Sequence, residues 1–306
     1  SCTAQIFATC STVRKTALKR SALQTGSNVA DLLNAEAISE GVLPALRSQL
    51  RLVTVLEEVD STNSQLQRLP APERHAHALL AERQLSGRGR RQRNWHSPAG
   101  GNIYLSLGWQ FSDGQLPLST LPLVVAVCTA QALSRSGLQG HGIKWPNDIL
   151  VNGAKLAGIL VEMRSSGQGA STVVIGIGLN VRMPVREGED PKQLIGRPWT
   201  DLQSHLPEGS LAGGRNQLAV HLLDQLLAAM GRFEQTGFDT FVAAWEQFDL
   251  LNGNPVMLDL DEGTVTGIAQ GINKDGELMV VMEGGNVCSF HSGEVSVFHD
   301  QASTVN

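Results

Sequence analysis

Apolar positions along the chain fall into two textures. From Asp31 to about residue 251, helix-spaced and strand-spaced runs alternate. Leu32, Leu33 and Ile38 predict one short helix face, and Leu50 to Leu56 form a β-rich run. Asp60-Ser61-Thr62-Asn63 predicts a helix start, because short polar side chains accept from first-turn N–H groups that lack a helical partner. Ile103, Leu105, Leu107 and Trp109 alternate with Asn102, Tyr104, Ser106 and Gly108, the period of a half-buried strand. Leu156 to Val161 and Val173 to Ile177 predict further strands of the same sheet. Leu121, Val124, Val125, Cys128 and Ala132 predict a helix stopped by Gly137, and Leu218, Leu222, Leu226, Met230 and Phe233 a second stopped by Gly237. After about Asn252 the texture becomes five short β runs, Pro255–Leu260, Thr264–Ile272, Leu278–Met282, Val287–His291 and Glu294–Phe298. Turn signals at Asp261-Glu262-Gly263, Asp275-Gly276 and Gly284-Gly285 separate them, and the spacing predicts a small barrel.

The expected organisation is therefore a mixed α/β (α+β) domain over residues 31–251 followed by a β-barrel domain over 252–306. Residues 1–30 carry Arg14, Lys15, Lys19 and Arg20, many Ser and Thr, and no acid before Asp31. They read as a disordered tail, with a transit peptide as the alternative.

Charge narrows the function. The 306 residues hold 24 Lys+Arg against 29 Asp+Glu, a net charge of -5, which is the wrong sign for a surface that grips nucleic acid throughout. Any basic function must be local. Cys2, Cys10, Cys128 and Cys288 are too scattered for a zinc cluster or a disulfide scaffold, so a reducing, cytoplasmic setting is expected. Leu121 to Leu133, the longest apolar stretch, includes Thr129 and Gln131 and falls short of the roughly 20 residues that span a bilayer, so no membrane association is expected.

Two segments concentrate chemistry. Gln84-Leu85-Ser86-Gly87-Arg88-Gly89-Arg90-Arg91-Gln92-Arg93-Asn94-Trp95 puts guanidinium forks beside glycines, suited to close approach of a carboxylate or phosphate. On composition alone it reads equally as a solvated basic loop, and a loop-type RNA site is a third reading. Lys144-Trp145-Pro146-Asn147-Asp148 precedes Lys155-Leu156-Ala157-Gly158-Ile159-Leu160-Val161-Glu162, where Lys155 could set an ammonium against an anion or simply begin a strand at the surface. Gly176-Ile177-Gly178-Leu179-Asn180 lacks the last glycine and following helix of a dinucleotide fingerprint and is rejected as one. No phosphate loop or nucleophile elbow is found, and His75 and His77 read as ordinary surface residues.

Taken in order and spacing, Asp60-Ser61-Thr62-Asn63, the Gly87–Arg91 loop with Trp95, Lys144–Asp148, Lys155–Leu160 and Gly176–Asn180 resemble the biotin protein ligases, over about Asp31 to Phe298. The resemblance implies a catalytic domain related to class II aminoacyl-tRNA synthetases and lipoate ligases, then an SH3-like barrel. It implies formation of biotinyl-5′-AMP from biotin and ATP with Mg²⁺, then transfer to a lysine of the biotin carboxyl-carrier protein or carboxylase carrier domain. By the same resemblance Ser61, Thr62, Asn63, Gln84, Arg88, Gly89, Arg90, Trp95, Lys155 and Gly158 bind biotin. Arg88, Arg90, Arg93, Asn147, Asp148, Asn180 and Trp199 face the adenylate, Lys155 and Arg90 carry the chemistry, and Asp148 is a candidate for the magnesium. From its Pro-flanked turns and mixed charge, Met183 to Trp199 reads equally as a mobile lid or a disordered surface loop. Homodimerisation through the catalytic sheet stays open. No DNA-binding helix-turn-helix is expected, because residues 1–30 show neither its helices nor a wing. A lipoate or octanoate ligase and a biotin-sensing regulator are the rivals. The reading requires the cations near 88–90 and at 155 to meet in one cleft.

Overall fold

The computed structural model describes residues 31–112, 116–166, 170–183, 196, 198–207, 211 and 213–297. The expected tail, most of the expected lid (184–195 and 197) and residues 298–306 of the expected barrel domain, including the end of its last expected strand, lie outside those residues.

Helices α1 (Ala35–Gly41) and α2 (Pro44–Arg47) open the fold, with Asn34 accepting from Ala37 N as the α1 cap. Of the expected helix face only Ile38 lies on α1 and is buried; Leu32 and Leu33 precede the helix, Leu33 buried and Leu32 58% exposed. Strand β1 (Leu52–Val59) runs parallel to β2 (His77–Gln84), so the chain must cross over between them. It does so through α3 (Thr62–Arg68) and α4 (Ala71–Arg74). The remaining strands are β3 (Ile103–Phe111), β4 (His141–Lys144), β5 (Asp148–Val151), β6 (Ala154–Ser166) and β7 (Ala170–Leu179). All seven form one sheet in the order β1-β2-β3-β7-β6-β5-β4, antiparallel except for the β1–β2 pair.

One face of this sheet is the core. Ile103, Leu105 and Leu107 on β3 pair with Leu179, Ile177 and Ile175 on β7 and bury against α5 (Leu121–Arg135) and α6 (Gly214–Thr236). Phe111 meets Phe233 of α6 edge-on, ring centroids 5.7 Å apart. Each such fully buried side chain contributes roughly 1.5–3 kcal/mol. Helix α7 (Val242–Phe248) adds Trp245 to the same core. With its preceding turn, α5 is long and apolar enough by length and composition to cross a membrane, Leu118–Arg135 having mean hydropathy 1.3, but 67% of it is buried inside the fold. It is the central helix of the core.

The opposite face of the sheet departs from expectation. β3 is not half-buried: every residue but Gln110 is inaccessible, because α3 and α4 cover its polar side. His75 and His77 are not surface residues on one strand face. His75 caps the C-terminus of α4 and packs tilted against Trp109, ring centroids 4.8 Å apart, whereas His77 opens β2 and bonds Thr54 Oγ1 at 2.9 Å.

A second antiparallel sheet follows, β8 (Pro255–Leu260), β9 (Gly263–Ile272), β10 (Leu278–Met282), β11 (Val287–Phe290) and β12 (Glu294–Val297), in the order β11-β10-β9-β8-β12. Its residues match the sequence expectation within one position at each described end. The Asp275-Gly276 turn reaches the first domain, where Trp145 Nε1 donates to Gly276 O at 3.0 Å.

Candidate functional site

Register places a trough on the covered face of the sheet. Tyr104, Gly178, Gly158 and Asp148 are successive cross-strand partners on β3, β7, β6 and β5, so two adjacent positions of that row have no side chain. Trp95 lies over them. A Cβ on Gly178 would stand 2.5 Å from Trp95 Cε2 and Nε1, and one on Gly158 2.9 Å from Trp95 Cζ3. The segment set aside as a failed dinucleotide fingerprint thus supplies the floor under an aromatic ring, and its glycines were the signal for it. Trp95 Nε1 is buried without a hydrogen-bond partner.

A cavity of about 450 Å³ opens above this floor. Its lining contains every residue expected at the site: Ser61, Thr62, Asn63, Gln84, Arg88, Gly89, Arg90, Arg93, Trp95, Asn147, Asp148, Lys155, Gly158, Asn180 and Trp199. Volume and lining are those of a small-molecule site.

The polar cluster is built by the start of α3. Ser61 caps the helix, accepting from Ser64 N at 3.4 Å, as its position in the sequence predicted. Thr62 donates through N and Oγ1 to Gln84 Oε1, at 2.9 and 3.1 Å, and Gln84 Nε2 donates to Ser97 Oγ at 3.0 Å. Ser106 Oγ lies 2.8 Å from Thr62 Oγ1 and 2.6 Å from Asn63 Oδ1. Asn63 Nδ2 donates to Glu162 Oε2 at 2.9 Å and approaches Leu160 O at 3.3 Å, so both ends of this amide are committed within the protein. Gly176 makes room for it: a Cβ there would sit 2.4 Å from Asn63 Oδ1.

The arginine loop is a small hairpin. Trp95 N donates to Gly87 O at 2.8 Å, Gly89 N to Arg93 O at 2.7 Å, and Arg88 bridges Asn94 across the stem. Gly87 is the glycine the loop requires, since a Cβ would meet Trp95 O at 2.4 Å. At the tip, Arg91 and Gln92 take left-handed backbone angles, φ 52° and 58°, unfavourable for residues with a Cβ. The four arginines separate by partner. Arg88 pairs with Glu162 at 2.8 Å and Arg91 with Asp261 at 3.7 Å, and Arg93 holds both carboxylate oxygens of Glu294, Nη1 to Oε1 at 2.9 Å. Arg90 instead donates to a neutral acceptor, Asn147 Oδ1, at 3.0 Å. Burial pushes its guanidinium below the usual value, while the nearby Asp148 charge works the other way.

Across the cavity Lys155 Nζ lies 2.7 Å from Asp148 Oδ1 and 5.2 Å from the centroid of the Trp95 ring, a cation–π distance. Its backbone is fixed on both sides by the segment returning to the sheet: Lys155 N donates to Pro198 O and Thr200 N to Lys155 O, each at 3.0 Å. That brings Trp199 to the cavity beside Lys155. Asn180 anchors the same segment, Nδ2 to Thr200 O at 3.1 Å. Asn147 Nδ2 donates to Ile159 O at 2.7 Å, leaving Oδ1 for Arg90.

Sequence reasoning missed several contributors. Tyr104 and Ser106 lie on the polar side of the strand alternation read over 102–109, whereas Glu162 follows an unbroken apolar run and had no such signal. Gly293, Glu294 and Val295 of the barrel also line the cavity, and no local signal could have placed them there.

The sheet and its cation-lined trough define an α/β protein with a built site for an anionic small molecule, followed by a small antiparallel β domain. Comparison with known proteins agrees. Residues 55–180 match the model of the biotin/lipoate A/B protein ligase family, and residues 253–297 match the biotin protein ligase C-terminal domain. The chain is 36% identical to the bifunctional ligase/repressor BirA of Escherichia coli over 245 residues, 80% of this chain and 74% of that one. It is 32% identical to the biotin–[acetyl-CoA-carboxylase] ligase of Paracoccus denitrificans, over 74% of this chain and 92% of the relative. The solved biotin protein ligase of Aquifex aeolicus in complex with biotin and ATP superposes with TM-score 0.61 at 27% identity, covering 81% of this chain and 99% of that one. The chain belongs to the biotin/lipoate protein ligase family and carries the C-terminal domain of the biotin protein ligases.

Proposed function

We propose that the chain is an ATP-dependent biotin protein ligase. The observation that carries this is the convergence of Arg90 and Lys155 on one cavity that also holds the Ser61–Thr62–Gln84 hydrogen-bonding cluster. Relatives and a solved neighbour named for this activity support it.

In the first step a carboxylate oxygen of biotin attacks the α-phosphorus of ATP, a P–O bond to the leaving group breaks, and pyrophosphate departs. Both reactants are anionic, so the protein's contribution is neutralisation and alignment, not a nucleophile. Lys155 and Arg90 supply the charge. Lys155 is held by Asp148 and by the backbone of the 198–200 segment, and Arg90 by Asn147, so neither cation has to reorganise far when charge develops. Ser61 and Gln84 present hydroxyl and amide groups to a ureido ring, which both donates and accepts. A saturated acyl chain would offer the Ser61 hydroxyl proton no acceptor, which weighs against lipoate or octanoate as substrate. Trp95 walls the pocket against the apolar part of the ligand, and Trp199 and Asn180 face the nucleotide.

In the second step a carrier lysine, as the free amine, attacks the acyl carbon; the C–O bond to AMP breaks and the amine proton is lost to solvent. The carboxylase carrier domain as acceptor rests on the names of the relatives. Mg²⁺ would enter with the ATP phosphates, not in a protein cage: among the described residues no three His, Cys, Asp or Glu cluster, and Asp148 is already held by Lys155. We place the boundary between the two modules after residue 251, supported by the start of the C-terminal match at residue 253. A cytoplasmic setting is supported by the free thiols of Cys128 and Cys288.

The test is biotin-dependent exchange of labelled pyrophosphate into ATP, with lipoate and octanoate run in parallel. Exchange with biotin alone is expected. Exchange with lipoate alone would overturn the substrate, and none with any acid would overturn the enzyme.

A further inference from the structure

Glu162 has a place in this site that its position midway along a strand does not announce. It lies on β6 on the same face as Gly158 and Leu160, paired across the sheet with Val174. Asn63 Nδ2 reaches its Oε2 at 2.9 Å, and Arg88 takes both oxygens, Nη2 to Oε1 at 2.8 Å and Nη1 to Oε2 at 3.3 Å. Arg88 Nη1 is also 3.4 Å from Ser64 Oγ on α3. One carboxylate therefore joins the sheet, the first turns of α3 and the arginine loop. Arg88 stands on the stem of the loop hairpin, bridged to Asn94, whereas Arg90 stands at its tip. Fixing the stem determines where the tip can go.

We infer that Glu162 is a positioning residue of the ligase reaction: by gripping Arg88 it latches the arginine loop onto the sheet, so that Arg90 and Trp95 are already in place when ligand arrives. Arg88 then acts through Glu162 and not by touching the phosphate. The geometry favours this over a direct contact because both terminal nitrogens of Arg88 are engaged in a bidentate pair, the strong form of guanidinium–carboxylate contact. The inference rests on the ligase reading and deepens it. A loop that is closed only part of the time lowers apparent ligand affinity in proportion to its closed fraction without changing the chemistry once closed.

The experiment is a double-mutant cycle on pyrophosphate exchange using Glu162→Gln and Arg88→Ala. The amide introduced by Glu162→Gln would keep the shape and an acceptor for Asn63 Nδ2, while removing the charge and one of the two oxygens that hold Arg88. Each single variant should raise the KM for biotin by roughly two- to fivefold, the order expected of a partly exposed ion pair, with kcat unchanged within error. The double variant should be no worse than the worse single, because both break one latch. An unchanged KM in Glu162→Gln, a fall in kcat in place of a rise in KM, or additive effects in the double variant would each overturn the latch. Thermal melts alongside identify any variant that loses its fold, and for one that does, Glu162→Asp replaces Glu162→Gln and Arg88→Lys replaces Arg88→Ala in the same cycle. Absence of exchange in the unmutated protein would instead strike the ligase reading itself.

Discussion

The glycine floor gives the sharpest test of how the cavity is built. In Gly178→Ala the new Cβ would stand 2.5 Å from Trp95 Cε2 and Nε1 and 2.9 Å from Cζ2. Carbon atoms in contact prefer about 3.5–4.0 Å, so the indole must retreat by about 1 Å. The strand cannot give way, because Gly178 is held between Tyr104 and Gly158 in the middle of a seven-stranded sheet. The ring can, being half-buried and carried on a loop, and the direction open to it is into the cavity. Overpacking of this kind costs about 1–3 kcal/mol. Because the ring yields and not the core, folding stability should fall by less than about 1 kcal/mol, while the ligand meets a displaced wall. A displacement costing about 1.4 kcal/mol weakens binding about tenfold. The assay is the biotin KM in pyrophosphate exchange beside the thermal midpoint. Gly158→Ala should be milder, since its Cβ would meet the ring edge at 2.9 Å but otherwise only the flexible Cε and Nζ of Lys155, at 3.1 Å. In a Trp95→Ala background Gly178→Ala should change nothing further. A biotin KM in Gly178→Ala equal to that of the unmutated protein, with Trp95 intact, would refute the reasoning.

Other variants separate chemistry from stability. Lys155→Ala should lower the adenylation rate by about two to three orders of magnitude, as loss of a preorganised electrostatic group does, with a much smaller change in thermal midpoint; an unchanged rate in single-turnover measurement would remove Lys155 from the chemistry. Arg215 is 1% exposed, donating to Glu82 at 2.8 Å, to Asn102 O at 2.9 Å and to Asp31 O. Arg215→Met should cost about 3–5 kcal/mol in denaturant unfolding by stranding Glu82. Arg68 holds the Asp60 carboxyl down at about 2, below its ordinary 3.8, so the pair's stabilisation is present above pH 3.8 and lost as pH falls through about 2. Asp60→Asn should flatten that acid limb in pH-dependent melts, by less than about 1 kcal/mol because the pair is exposed. Burial pushes the Cys128 thiol up to about 12, so thiol labelling of the native protein followed by peptide mass mapping should modify exposed Cys288 and spare Cys128.

The legible parts of the fold were those governed by local rules. The α3 start at Ser61, the α6 stop at Gly237 and the β8 and β10 boundaries follow from caps and period, and the structure keeps them. β2 was not legible, because Ala78-Leu79-Leu80-Ala81 is buried on both faces and an unbroken apolar run does not distinguish helix from strand. Nor was the cover over β3: Ser106 looks solvent-facing in the alternation, yet it faces α3, which returns to the sheet from more than forty positions earlier in the chain, and Tyr104 bonds Pro98 O beside the cavity. At the site, the clustering of Ser61, Gln84, Arg90 and Lys155 followed from family resemblance, not from local pattern. What each polar atom does there depends on partners that no spacing encodes.

That dependence changes how the arginine loop works. Read as a sequence, its four guanidinium groups look like interchangeable donors for an anion. In the folded chain, three have a carboxylate from a different element: Glu162 from the sheet for Arg88, Asp261 from the barrel for Arg91, and Glu294 from the barrel for Arg93. The surroundings of Arg90 differ, for it is half-buried, its charge is disfavoured by burial, and the oxygen it holds is an amide's. A desolvated cation on a neutral acceptor gains more from an arriving phosphate than one already neutralised, since no ion pair has to be broken first. The carboxylates around the loop therefore make selectivity among the arginines a property of the fold: they fix the frame and leave Arg90 as the charge with most to gain from the ligand.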